Sequence, residues 1–352
     1  MHDLPKQWLV FRLSALGDAV LTTGVLRFWN EKYGWRFHVV TKEAFAPVFH
    51  NHPAVDAVIP ASPGELALPE MNTWFSGLAA QHAGWGLLDL HCTIRSRLLA
   101  LHWKGTVRRY AKLGMARRVF LLTGGRACSD ALCAVNVPQR YALAVEAVAP
   151  AASELVPVMR LTAAEQVWAK SFLANLFPNG IGKYASGTEN GPVAIHPFAA
   201  HAHKAWPENR YKELIARLDE QGVPWLVVGR GKGLFPGNPK DITGRTSVRE
   251  SAALIAACSA MVTGDSGPMH LAASVGTPVI GLFGPTTKEW GFFPSGPRDC
   301  VLEKELFCRP CSLHGKKGCS RKGECLAHIE ADAVMAALED VWSGNVGFRD
   351  RF

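Results

Sequence analysis

The chain has 352 residues, 48% of them hydrophobic and 19% charged, which excludes a disordered or fibrous protein and leaves room for two cores. A formal charge of +8 asks for an anionic partner: nucleic acid, a membrane surface, or a phosphorylated or carboxylated substrate. No apolar run reaches membrane-spanning length, the opening MHDLPKQWLVFRL lacks the make-up of a secretion signal, and four of nine cysteines crowd into Cys308 to Cys325, so a cytoplasmic protein is expected, peripheral at a membrane at most.

In chain order, an apolar strand over Gln7 to Leu13 is followed by a turn of small residues and a helix starting after Gly17. Asp18 stands in that helix's first turn, where the macrodipole alone would stabilise a carboxylate by about 0.3 to 1 kcal/mol. Further strands are predicted at Phe37 to Thr41, Val55 to Pro60 and Trp85 to His91, the last leading into the helical RSRLLALHW. Strands separated by helices require crossover connections, hence an α/β fold with a doubly wound, mainly parallel sheet.

The alternation weakens between about 148 and 190, where a helical stretch gives way to the turn-rich FPNGIGKYASGTENGP, and a domain boundary belongs there. It then restarts. VAIHPF, PWLVVGR, AMVTGD and PVIGLFG read as strands, PENRYKELIARLDEQG, TSVRESAALIAAC and PMHLAASVG as helices, with Thr246 or Ser247 as the cap of the second, and a terminal helix is expected around Glu330 to Trp342.

Within VTGDSGPMHLAASVGTPVIGLFGPT, a strand runs into Gly-Asp-Ser-Gly with Pro268 at the first turn of a helix. The amides of Ser266, Gly267, Met269 and His270 then form an anion seat of the kind used for phosphates, although a plain βα turn capped by Asp265 or Ser266 fits the same residues. Lys204 lies in the loop after VAIHPF, at the strand end where open α/β sheets bind ligands, and could equally be an ordinary solvated lysine. VVGRGKG is only a fragment of a dinucleotide fingerprint and marks a ligand-facing loop.

From Asp89 to Arg118 the chain carries eight Lys or Arg against one acid, of which Arg95 and Arg97, directly after the strand end at DLH, are the better candidates for gripping an acidic group. Cys308, Cys311, Cys319 and Cys325 have the C-x2-C-x7-C-x5-C spacing of a structural zinc site, while Lys316, Lys317, Arg321 and Lys322 beside them fit a loop of free thiols as well. Both readings stay open on spacing alone.

Taken together, FRLSALGDAVLTTGVLRFW, HPAVDAVI, DLHCTIRSRLL, HPFAAHAHKAWPENRYKELIARL, TGDSGPMHLAASVGTPVIGLFGPT and CRPCSLHGKKGCSRKGECLAHI resemble, collinearly from Arg12 to about Ile329, the family 9 glycosyltransferases that act as heptosyltransferases in lipopolysaccharide inner-core synthesis. The resemblance implies a GT-B architecture of two Rossmann-like, doubly wound domains facing across a cleft: an acceptor domain over 1–170, a nucleotide-sugar domain over 171–328, and a C-terminal helix in 329–352 packing back toward the first. It implies inverting, metal-independent transfer of L-glycero-D-manno-heptose from ADP-heptose to a Kdo or heptose of the core, with no cofactor. On that reading Asp18 matches the catalytic base, Lys204 the phosphate-contacting lysine, Asp265 the acid of the donor turn, and Ser266, Gly267, Pro268, Met269 and His270 the pyrophosphate seat, with Arg95 and Arg97 toward the acceptor.

One departure is local: Phe198, Ala199 and Ala200 stand where many relatives carry Gly or hydroxyl residues. Transfer of another nucleotide sugar and a GT-B UDP-sugar 2-epimerase are the competing enzymes, the second having no use for the basic stretch. A nucleic-acid binder, prompted by the charge, is disfavoured because no aromatic stacking platform or known motif accompanies the basic residues.

Overall fold

Runs such as WLVF, GLLD, VAIH and VIGLF are buried along their whole length, as parallel strands covered by helices on both faces must be. The computed structural model describes residues 4–180, 191–312, 319 and 321–344. It contains two five-stranded, wholly parallel sheets, each in its own compact unit. One unit comprises residues 1–112 and 137–160; the other comprises 113–136 and 161–352.

In the first unit the strands are β1 (Gln7–Phe11), β2 (Arg36–Lys42), β3 (Val55–Ala61), β4 (Gly86–Asp89) and β5 (Val107–Arg109), in the order β3-β2-β1-β4-β5. Helices α1 (Leu16–Tyr33), α2 (Glu70–Gln81) and α3 (Ile94–His102) make the crossovers. Gly24 lets α1 approach the 152–155 turn closely, since a Cβ there would overlap the Leu155 and Val156 carbonyls. Leu9, Phe11, Val40, Phe75, Leu87 and Leu99 belong to one of its core clusters.

The chain then leaves this unit. Helices α4 (Gly114–Leu122) and α5 (Ser129–Cys133) belong to the second unit, where Phe120 and Leu132 close over Trp290. At α6 (Val137–Ala142) the chain returns to pack on α1.

The second unit carries β6 (Val193–His196), β7 (Trp225–Val227), β8 (Ala260–Gly264), β9 (Val279–Phe283) and β10 (Cys300–Glu303), in the order β10-β9-β8-β6-β7. Its remaining helices are α7 (Ala163–Leu176), α8 (Glu208–Glu220), α9 (Val248–Ala256), α10 (Gly267–Ser274), α11 (Glu324–Ala327) and α12 (Ala331–Ser343). The Ser247 hydroxyl caps α9 by accepting the Glu250 amide.

This partition differs from the expected boundaries at 170 and 328. Helix α7 sits with the second unit, packed on α9 and joined to it by Glu165 and Arg249 at 2.7 Å. Part of the turn-rich linker, 181–190, lies outside the described residues. The terminal helix α12 packs on α8 and the second sheet, where Val334, Leu338 and Val341 complete the second core. Leu338→Ala is accordingly expected to lower the stability of that unit by about 2–5 kcal/mol in urea unfolding. A loss below about 0.5 kcal/mol, the range of surface substitutions, would remove α12 from the core.

Candidate functional site

Both sheets reverse their strand order once, between β1 and β4 in the first and between β6 and β8 in the second. At such a switch point neighbouring loops diverge and leave a crevice at the carboxyl ends of the strands, where α/β proteins bind ligands. The chemistry-bearing side chains of this protein stand at these two places.

At the first, β1 runs on into Arg12, whose side chain is only 4% exposed. A buried guanidinium needs acceptors, and Arg12 finds three: the Asp18 carboxylate, the Leu90 carbonyl and the Tyr110 hydroxyl. Asp18 is the third residue of α1, and its Oδ2 accepts the amide of Ala15 at the helix N-cap at 3.2 Å. Its Oδ1 receives Arg12 together with the Tyr141 hydroxyl, at 2.5 Å. Burial pushes this carboxyl up, but the Arg12 charge and the Tyr141 and Ala15 hydrogen bonds outweigh it, so Asp18 is held below the ordinary carboxylate range. With 22% of its side chain exposed, it is an ionised carboxylate open to the solvent on one side.

The loop after β4 is shaped by Asp89, fully buried, whose Oδ1 accepts the amides of His91 at 3.1 Å and Cys92 at 2.8 Å while Oδ2 accepts Arg109 Nε at 3.1 Å. This brings His91 within electrostatic reach of Arg12 and Asp18, where burial and then the Arg12 charge push the imidazole down to about 4 and keep it neutral. Arg109 is thereby spent on structure. Lys112 and Arg117 likewise donate to backbone carbonyls, of His91 and Trp290. Arg95 and Arg97 are exposed on the first turn of α3, and no ion pair or hydrogen bond joins either to Asp18.

At the second switch point Lys204 and Asp265 meet in a salt bridge with both side chains largely shielded, at 15% and 13% exposure. Lys204 is therefore not a freely solvated lysine. Thr286, from the loop after β9, donates to the same Asp265 oxygen at 2.8 Å. Ser266 is the N-cap of α10 in extended conformation with no side-chain cap bond, and Pro268 sits in the first turn, so Gly267, Met269 and His270 begin a helix whose first amides have no intrahelical acceptor. The side chains of Met269 and His270 are buried beneath that turn.

His196, at the end of β6, lies beside Thr263 and Ser266, its Nδ1 at 3.2 and 3.4 Å from their hydroxyls. Burial pushes it down to about 4, and it is neutral. Gly229, at φ +121°, and Gly231 lie against the rings of His196 and Phe198, and a Cβ at either would overlap a ring. VVGRGKG is thus a loop whose glycines make room for the rings of His196 and Phe198.

The clustered cysteines lie within electrostatic reach of one another, Cys311 of Cys308 and Cys319, and Cys325 of Cys311 and Cys319. Among the described residues no group of three or more His, Cys, Asp or Glu side chains is disposed to hold a metal ion, and Cys308, Cys311, Cys319 and Cys325 are free thiols. Cys325 is part of the second core, and burial raises the thiols of Cys311 and Cys325, with the neighbouring thiols adding to the rise. Lys316 and Lys317 lie outside the described residues.

Comparison with known proteins places this geometry. The model of glycosyltransferase family 9 (heptosyltransferase) matches residues 86–319. The chain belongs to this family. It is 31% identical to lipopolysaccharide heptosyltransferase 2 of Escherichia coli over 120 residues, 30% of this chain and about a third (32%) of that relative's length. It is 25% identical to lipopolysaccharide heptosyltransferase 1 of Escherichia coli K12 over 301 residues, 79% of this chain and 88% of the relative. In fold it is similar to a family 9 glycosyltransferase of Veillonella parvula, with a TM-score of 0.74, 19% identity and coverage of 97% and 98% of the two chains. The Escherichia coli ADP-heptose heptosyltransferase II superposes with a TM-score of 0.69 at 22% identity over 96% and 99%. The two parallel-sheet units are thus the GT-B fold of family 9.

Arg12, Tyr110, Tyr141, His196 and Thr286 were not singled out in the sequence, although Arg12 and His196 each end a strand that was recognised. A polar residue at the end of an apolar strand, facing a switch point, is the signal that marks them. Their ionisation has a measurable consequence. His52, His91 and His196 are each held at about 4 by burial, against an ordinary 6.5, so between pH 6.5 and 4 the unfolded chain binds more protons and stability falls as the pH falls. Urea unfolding across this window is expected to show a smaller slope in His196→Gln, by up to about 1.4 kcal/mol per pH unit. An unchanged slope would mean that His196 takes up its proton in the folded protein.

Proposed function

We propose that this family 9 protein transfers heptose from ADP-heptose to a Kdo or heptose of the lipopolysaccharide inner core, with inversion and without a metal ion. The observation that carries the reading is the Lys204 and Asp265 pair beside the start of α10. An ammonium and a set of helix N-terminal amides together suit a diphosphate better than any neutral ligand. The names of the relatives, lipopolysaccharide heptosyltransferases 1 and 2, support heptose and a lipopolysaccharide acceptor, and the similarity to ADP-heptose heptosyltransferase II supports the donor.

In this mechanism the first unit holds the acceptor, with Arg95 and Arg97 available for its acidic groups. Asp18, kept ionised by Arg12 and Tyr141, takes the proton of the attacking hydroxyl. The freed electron pair forms the new bond to the anomeric carbon as the carbon–oxygen bond to the β-phosphate breaks, and its electrons leave with ADP. A single displacement inverts the carbon and needs one base but no enzyme nucleophile. Lys204 and the α10 amides meet the charge that grows on the departing diphosphate, a fixed electrostatic device that needs no reorganisation during the reaction. Asp265, anchored by Thr286, holds the Lys204 ammonium in place until the donor arrives. No helix among the described residues is long and apolar enough to cross a membrane, so the acceptor would be met at the membrane surface of the cytoplasm, with the net charge of +8 favouring an anionic lipid.

The test is ADP release from ADP-heptose with a panel of truncated lipopolysaccharide acceptors and no added metal. Turnover with one acceptor supports the reading and defines the transfer position; activity only with another nucleotide sugar replaces the heptose assignment. Asp18→Asn is expected to lower kcat by roughly 10²- to 10⁴-fold while donor binding, followed by calorimetry, stays intact. Retained turnover would sink Asp18 as the base. Lys204→Ala is expected to weaken ADP binding by about tenfold or more, as loss of a charged hydrogen bond does, and unchanged affinity would take Lys204 out of the donor site.

A further inference from the structure

The hydroxyl of Tyr141 is bonded to the carboxylate proposed as the base, yet Tyr141 is itself 1% exposed and therefore out of reach of any substrate. Its ring is locked. It packs edge-on against Tyr110 with centroids 4.9 Å apart, lies 5.1 Å from the Arg12 guanidinium carbon, and is carried by α6, which packs on the same helix α1 that carries Asp18. A phenol taken this far from water keeps a hydrogen-bond partner, and its partner is Oδ1 of Asp18. Among the described residues Oδ1 therefore carries two donors, Arg12 and Tyr141, whereas Oδ2 carries only the Ala15 amide, at 3.2 Å.

We propose that Tyr141 is a positioning residue that, with Arg12, saturates Oδ1 of Asp18 and so makes Oδ2 the oxygen that receives the acceptor's proton. This rests on the reading of Asp18 as the base. A carboxylate with two equivalent open oxygens rotates about its Cβ–Cγ bond and samples poses in which neither lone pair faces the hydroxyl. Two donors on one oxygen fix the plane, and a catalytic group held in one pose retains the rate advantage of orientation. Tyr141 itself does not relay the proton, since burial first and then the neighbouring Asp18 charge hold its phenol well above the ordinary value and leave it a donor only. The proton passes from the acceptor hydroxyl to Oδ2 and is released to water after ADP leaves.

The experiment is steady-state kinetics of Tyr141→Phe beside Asp18→Asn, with ADP-heptose and an active acceptor, at pH 5 and pH 7. Tyr141→Phe retains the ring and removes only the hydroxyl. Its kcat is expected to fall roughly ten- to a hundredfold, the range for a misplaced catalytic group, with KM for the donor unchanged. Its activity at pH 5 relative to pH 7 is expected to drop below that of the wild type, because a hydrogen bond that favours the ionised carboxylate is gone and Asp18 protonates at higher pH. Should Tyr141→Phe fold poorly, 3-fluorotyrosine placed at 141 retains the shape and strengthens the donor, and the pH 5 to pH 7 ratio is expected to rise or stay at its maximum with kcat retained. An inactive Asp18→Asn with a Tyr141→Phe enzyme that retains kcat, or that loses it with no change in the pH ratio, overturns the positioning role while leaving the base in place. An active Asp18→Asn overturns the base itself.

Discussion

A guanidinium buried at the end of the first strand is the constraint on which the first site depends. Arg12 has no water to turn to, and an uncompensated buried charge costs several kcal/mol. Its acceptors come from three places in the chain, the first turn of α1, the loop after β4 and the end of β5, and the carboxylate among them also takes a hydrogen bond from Tyr141 on α6. Satisfying one cation therefore brings together elements that are far apart in sequence, and the same cation keeps Asp18 charged. Structural necessity and the proposed catalytic state are two descriptions of one interaction.

The second unit follows the same logic with the charges exchanged in role. Its switch point is furnished by a lysine tied to an aspartate and by a helix start left without a side-chain cap. On the proposed reading, the first amides of α10, which Ser266 leaves without a side-chain cap, serve the donor diphosphate, whereas Ser247 caps α9.

Much of this was visible in the linear sequence. Strands such as VAIH and AMVTG, the helix after Gly17, and the positions of Asp18, Lys204 and Asp265 at strand ends follow from apolar runs and small-residue turns that act locally. What escaped is non-local. The three-residue strands β5 and β7 differ in this respect: β7 lies within an apolar run that was recognised, while β5, reading VRR, is a strand only because β4 offers it a ladder. Tyr141 sits in a short helix with no periodicity to announce it, and its partner is 123 residues away. Within the basic stretch, charge composition does not say which cations are consumed: Arg109 serves Asp89, and Arg117 serves a carbonyl. The cysteine spacing likewise gave no sign that Cys325 belongs to the second core.

The excursion of residues 113–136 makes the chain cross between its units three times, after 112, 136 and 160. Its apolar residues Phe120 and Leu132 find their place against Trp290, a residue synthesised long after them. As the chain leaves the ribosome, the first sheet has all its strands by β5, and α6 can return to α1, while the loop between them must wait with its apolar side chains uncovered. The order of synthesis and the order of folding therefore part company in this protein. A fragment ending at residue 160 would carry a complete parallel sheet together with an unpartnered hydrophobic loop, and a fragment beginning at 161 would lack the lid of its own third cluster. The two units are separate cores built from one inseparable chain.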